Sequence, residues 1–194
     1  MQFDPVILIK GFGLFGLLGI IFAESGLFFG FFLPGDSLLF SAGLLASAGY
    51  LNLWTLFILC PLAAILGDNV GYWFGKKFGP KLFAREDSFF FNKKYIEKTN
   101  AFYLKHGKKT IVLARFVPIV RTFAPILAGV GGMEYRTFFF FNVTGGLFWT
   151  TSMLVLGFFL GNVVPDIDRF ILPAVGVIVL LSLIPILFQI LRQK

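Results

Sequence analysis

Five ionisable residues stand where the surrounding sequence gives them little reason to be charged. Arg115 and Arg121 lie six positions apart in Ala114-Arg115-Phe116-Val117-Pro118-Ile119-Val120-Arg121-Thr122-Phe123-Ala124-Pro125-Ile126-Leu127-Ala128-Gly129, a run as apolar as a membrane span that also holds two prolines. Glu24, Asp36 and Asp68 are carboxylates within or at the edge of long apolar stretches. Two guanidiniums can grip a phosphate through paired charge-assisted hydrogen bonds, while a carboxyl in apolar surroundings can load and release a proton. The same residues admit a plainer account, in which each arginine neutralises Glu24, Asp36 or Asp68. Both accounts hold together if a substrate displaces an internal partner.

The arginine run cannot be an ordinary span. An arginine near the bilayer centre costs ~2.5 kcal/mol or more on insertion scales, and each proline removes a backbone donor. Irregular backbone and fixed cations are tolerated at membrane depth only inside protein or against a wet cavity. The segment therefore reads as a re-entrant, broken-helix element. Six residues apart, the two arginines do not share one face of a straight helix, and a break at Pro118 lets them converge. Half-helix N-termini with exposed N–H groups add to a phosphate site.

The remaining candidates carry more ordinary readings. Pro34-Gly35-Asp36 is turn chemistry, and Asp36 fits a helix cap. Glu24, late in an apolar span, has no such alternative. Gly67, Gly71, Gly75 and Gly79 recur every four residues in GDNVGYWFGKKFG, a smooth stripe for close helix packing flanked by Asp68 and Tyr72. His106 reads as interfacial, as do Glu134 and Arg136. Cys60, the single cysteine, excludes a disulfide framework or a cysteine-rich metal site and reads as a small apolar helix residue. No Gly-Lys-Ser/Thr phosphate loop occurs, so the chain is not expected to use ATP; no cofactor and no metal are expected.

The elements that must position these residues follow from composition. The chain has 194 residues, 57% hydrophobic and 14% charged, with 28 phenylalanines and a mean hydropathy of +0.85. Soluble domains are about 45–50% apolar and ~25% charged, so a soluble fold is excluded. The expectation is an all-α integral membrane protein, one polytopic domain over 1–194. Val6–Leu33, Trp54–Phe74 (interrupted by Pro61), Phe138–Leu160 and Phe170–Leu191 are long enough to span a core that needs ~20 residues. The first of these reads as a retained span rather than a removed signal peptide. Ser37–Tyr50, punctuated by Gly43 and Gly49, is too short to cross.

Charge sets the orientation. Ten Lys/Arg and three Asp/Glu fall between Lys76 and Lys109, which accounts for the whole net charge of +7; elsewhere seven basic and seven acidic residues cancel. Basic loops stay cytoplasmic, and such charge also attracts anionic headgroups. No nucleic-acid motif accompanies it, so nucleic acid is not an expected partner. With the loop at 76–109 inside, both termini are cytoplasmic. Four spans and two oppositely oriented re-entrant hairpins result: an outer one at 34–50 in the half 1–75, and an inner one at 110–132 in the half 110–194. Broken segments in corresponding positions of two opposed halves point to a transporter's binding site. Homo-oligomerisation is left open.

At these residues a family resemblance emerges. ARFVPIVRTFAPILAGVGGM is similar to the signature F-x-R-F-x-P-x-x-R-x-x-x-P-x-x-A-G-x-x-x-M of DedA-family membrane proteins, departing from it only at the first position. Their shared module is called the VTT or SNARE-associated domain. Glu24-Ser25-Gly26, PGDSLLFSAG and GDNVGYWFGKKFG resemble the family in the same order. The resemblance implies a bacterial cytoplasmic (inner) membrane protein linked to the proton motive force, moving undecaprenyl phosphate or another phospholipid. It also implies functional acids at Glu24 and Asp36 and functional arginines at Arg115 and Arg121.

The expected function is a non-enzymatic lipid translocase of flippase or scramblase type. A lipid phosphate or anionic phospholipid would be held by Arg115 and Arg121, with protons exchanged on Glu24, Asp36 or Asp68. An ion or proton antiporter with indirect effects on lipid is the alternative. An intramembrane lipid-phosphate enzyme is disfavoured, because histidine-dependent phosphatases need more than the lone His106.

Overall fold

The structure is a computed structural model that describes residues 5–27, 33–82 and 118–163, with side chains for 13–27, 33–79 and 121–163. Five helices are described: α1 Pro5–Gly26, α2 Gly35–Ser47, α3 Leu53–Leu82, α4 Pro118–Val130 and α5 Tyr135–Val163. All secondary structure among the described residues is helical, as the composition requires. The last expected span, the helical part of the basic loop, His106 and Arg115 lie outside the described residues.

Helix lengths sort into two classes. At 1.5 Å per residue, the 30 residues of α3 and 29 of α5 reach about 45 Å and 43 Å, beyond a hydrocarbon core of ~30 Å. Both contain an apolar window of span length. The 13-residue α2 and α4 reach only about 20 Å.

Two expectations about breaks need correcting. Pro61 does not interrupt its helix, since α3 runs without a gap from Leu53 to Leu82. Pro125 likewise sits inside α4. An interior proline forfeits one backbone bond, and a packed apolar environment tolerates it because neighbouring groups re-satisfy the freed carbonyl. Pro118 does mark a boundary: it opens α4, where its missing N–H would have gone unpaired anyway. Because α3 continues to Leu82, Lys76 and Lys77 are helical residues rather than part of the loop.

The chain divides into two compact units. One comprises Met1–Ile21, Phe32–Ala63 and Thr150–Lys194, the other Phe22–Phe31 and Ala64–Trp149. In the first, α2 lies against the second half of α5 with almost no side chain between them. A Cβ on Gly43 would run into the backbone of Leu154 and Phe158, one on Gly157 into the carbonyl of Phe40, and one on Gly161 into Ser47. Gly43 therefore packs α2 rather than breaking it. Gly49 ends it, at φ +75°, with its N–H donating to the Ala46 carbonyl at 3.1 Å. Asn52 then starts α3 by accepting from the Thr55 N–H at 3.0 Å. Leu17, Ile21, Leu39, Leu44, Leu56, Cys60 and Leu154 are buried apolar residues of this unit.

In the second unit the glycine stripe of α3 receives two backbones. Gly67 meets the end of α1 at Phe22, Ser25 and Gly26, Gly71 and Gly75 meet α4 at Ile126, and Gly79 meets Val130. In return Gly129 of α4 lies on the Tyr72 carbonyl and the Lys76 N–H. α4 thus runs alongside α3 in the same direction. It stops at Gly132 (φ +69°), where the Met133 N–H returns to the Ala128 carbonyl at 3.0 Å. The adjoining core is Tyr72, Ala128 and Phe138. The Tyr72 ring stacks on Phe138 at 4.5 Å, and its hydroxyl donates to the Met133 carbonyl at 2.5 Å.

Gly75 is consequently intolerant of any side chain, whereas Gly16 has nothing within 4 Å of an added Cβ. Gly75→Leu should lower the unfolding temperature of the detergent-purified protein by roughly 5–10 °C or prevent its folding. Gly16→Ala should leave it unchanged or slightly raised, as followed by size-exclusion chromatography after heating.

Candidate functional site

Arg121 is the fourth residue of α4, in the first turn, where the leading N–H groups lack intrahelical acceptors. α4 lies in the glycine groove of α3, and the same groove takes the end of α1 at Gly26, two residues beyond Glu24. The packing of small residues therefore brings together two charged side chains 97 positions apart in sequence. The Arg121 guanidinium donates through Nη2 to the Glu24 carboxylate Oε1, an ion pair with 8% and 1% of the side chains exposed.

Trp149 completes the setting. Its ring, 1% exposed, lies under the guanidinium with Cζ 4.6 Å from the ring centroid. Tryptophan is the strongest aromatic partner for a cation, and the interaction gains when both groups are desolvated. Arg121 is thus in contact with both a carboxylate and a π face.

Asp68 belongs to the same unit, on α3 beside Gly67, and is 4% exposed. Asn142 of α5, fully buried, donates to the Ile65 carbonyl of α3 at 3.2 Å and so ties these helices together one turn from Asp68. Thr122, next to Arg121, is also fully buried. Asp36 lies in the other unit, half-buried in the first turn of α2. Pro34 occupies the N-cap position, so Asp36 does not cap its helix as the sequence suggested. Its place in the first turn instead suits the positive end of the helix dipole. Arg115 lies outside the described residues. Among the described residues no group of His, Cys, Asp and Glu has the makings of a metal site.

Reasoning from sequence missed Trp149 and Asn142, both inside the expected span Phe138–Leu160, which carries no charge. The available signal was polar: an amide and consecutive threonines at Asn142, Thr150 and Thr151 within a phenylalanine-rich helix. Polar groups at such depth face protein rather than lipid.

The sequence has counterparts among known proteins. The VTT domain matches residues 33–159. Over 177 residues the chain is 49% identical to Protein DedA of Escherichia coli K12, an alignment covering 90% of this chain and 80% of that protein. The chain belongs to the DedA family. It is also 43% identical to an uncharacterized membrane protein of Mycobacterium tuberculosis H37Rv, covering 97% of this chain and 86% of the other. With Inner membrane protein YqjA of E. coli K12 it shares 34% identity over 148 residues, 76% of this chain and 67% of that one. No solved structure matches the chain. As a DedA-family membrane protein, it carries its Glu24–Arg121 pair buried within its helical packing.

Removing one member of a buried pair leaves the other charge stranded, at about 3–5 kcal/mol, whereas removing both together is far milder. Arg121→Leu should therefore destabilise this DedA-family chain more than the double substitution Glu24→Gln/Arg121→Leu does. Thermal unfolding in detergent measures the difference, and equal losses would mean that the pair is not coupled.

Proposed function

We propose that this chain is a membrane lipid translocase of the cytoplasmic membrane, moving undecaprenyl phosphate or a related phospholipid in a manner linked to the proton motive force. The observation that carries the reading is the buried Glu24–Arg121 pair backed by Trp149. A guanidinium binds phosphate in the bidentate manner in which it binds carboxylate, so the two anions compete for Arg121.

The cycle follows from that competition. With Glu24 ionised, Arg121 is engaged and the site is closed to anions. A proton arriving at Glu24 neutralises the carboxyl and weakens its hold, while Trp149 keeps the guanidinium in place. The lipid phosphate then takes the position, with Arg115 as the second cation and the acyl or polyprenyl tail left in lipid. Loss of the proton restores the carboxylate, which reclaims the arginine and expels the phosphate. Asp36 and Asp68 are further proton-exchanging or charge-pairing groups in this scheme.

In the proposed architecture the chain is a single polytopic domain of four spans, with α3 and α5 as the central two. α2 and α4 form the short arms of an outer and an inner re-entrant hairpin, and the basic segment and both termini face the cytoplasm. At about 20 Å each, both helices are too short to cross a hydrocarbon core of ~30 Å, as re-entrant arms require.

Proteoliposomes carrying a fluorescent polyprenyl phosphate test this. Arg121→Ala and Arg115→Ala should each reduce flux to the protein-free background while the protein still inserts. Glu24→Gln should retain lipid binding yet lose acceleration by an imposed pH gradient. Wild-type flux in both arginine variants contradicts the binding role.

A further inference from the structure

One end of the second unit carries a surface that the buried ion pair does not explain. α3 passes from Asp68 to Lys76 over about 12 Å, and there its outer side changes from apolar to mixed aromatic and basic. Trp73 is half-exposed and packs against Tyr135 of α5 with ring centroids 5.5 Å apart. The Lys76 ammonium lies over the Trp73 ring at 5.2 Å, and that of exposed Lys77 over Phe78 at 5.7 Å. Arg136, exposed, follows Tyr135 in the first turn of α5.

These placements are not neutral choices. A cation in the first turn of a helix opposes the dipole, so Arg136 is held where its own helix disfavours it. A nearby anion outside the chain removes that conflict. The exposed acid beside Arg136, Glu134, accepts from the Thr137 hydroxyl at 3.3 Å; against its one negative charge stand three exposed cations. Tryptophan and tyrosine favour the headgroup level of a bilayer, where an apolar ring body and a polar edge are both satisfied. The chain continues from here into the segment that holds the rest of the ten Lys/Arg between Lys76 and Lys109.

We infer that the Trp73–Tyr135 surface with Lys76, Lys77 and Arg136 is a docking site for the headgroups of anionic phospholipids at the membrane interface. The aromatic pair sets the depth, and the three cations hold the phosphodiester and its uncompensated charge. The inference rests on membership of a membrane-protein family and not on the transport reading. A chain that moved no lipid would still select anionic neighbours here.

Tryptophan fluorescence of the full chain in nanodiscs tests it. Phosphatidylglycerol or phosphatidylcholine brominated near the headgroup is titrated in, and the two half-quenching mole fractions give a selectivity ratio. The wild type should favour the anionic lipid, and Trp73→Phe should abolish the extra quenching. At ~1 kcal/mol per interfacial cation, the variant K76Q/K77Q/R136Q should lower the ratio by up to roughly a hundredfold. Should that variant fail to fold, raising the salt around the wild type should lower the ratio instead. A ratio of one in the wild type overturns the inference, as does a selectivity that survives both the triple substitution and salt.

Discussion

A charge kept away from water has to be answered by another charge, and the second unit is organised around one such answer. Moving an isolated guanidinium or carboxylate out of water costs several kcal/mol even after the protein relaxes. Arg121 and Glu24 offset that cost only if their helices hold them in contact. The glycines make this possible: with no Cβ at Gly26, Gly67, Gly71, Gly75 and Gly129, the end of α1, α3 and α4 approach backbone to backbone. Van der Waals contact between small residues, rather than hydrophobic exclusion, is the force available to helices in lipid. The stripe and the ion pair are therefore one construction, since the stripe sets the distance at which the charges meet.

The pair is also asymmetric, and function can draw on that. The contacts of Arg121 include a carboxylate and the Trp149 ring. Only the carboxylate can be neutralised at accessible pH. An arginine held by charge alone would be free to move once its partner took a proton; with the indole beneath it, the guanidinium keeps its place and changes only its availability. The proposed anion-binding site, opening and closing by protonation, draws on this arrangement. A purely structural salt bridge gains nothing from a partner that is easily lost.

Much of this was legible in the residues. Apolar composition forced the helical class, and the four-residue glycine period announced a packing groove before its occupants were known. The cost of burying Glu24 and Arg121 singled both out, though it named Glu24 as only one of three possible partners. What spacing could not give was the pairing itself, because a separation of 97 positions is bridged only by the way α1 and α4 share one face of α3. Prolines misled for a related reason. Pro61 and Pro125 read as breaks from local propensity, yet packing tolerates them, whereas Pro118 opens a helix where a proline costs least. Trp149 stayed invisible because an uncharged aromatic span looks like lipid-facing helix until a cation is placed against it.

The central claim is that lipid phosphate and the Glu24 carboxylate compete for one guanidinium, with a proton deciding between them. Infrared difference spectroscopy on the purified chain, before and after addition of a polyprenyl phosphate, observes the carboxyl directly. The account predicts that a protonated-carboxyl stretching band grows in as lipid binds, and that this band is absent from Glu24→Gln. Lipid that binds with undiminished affinity while Glu24 stays ionised would contradict it.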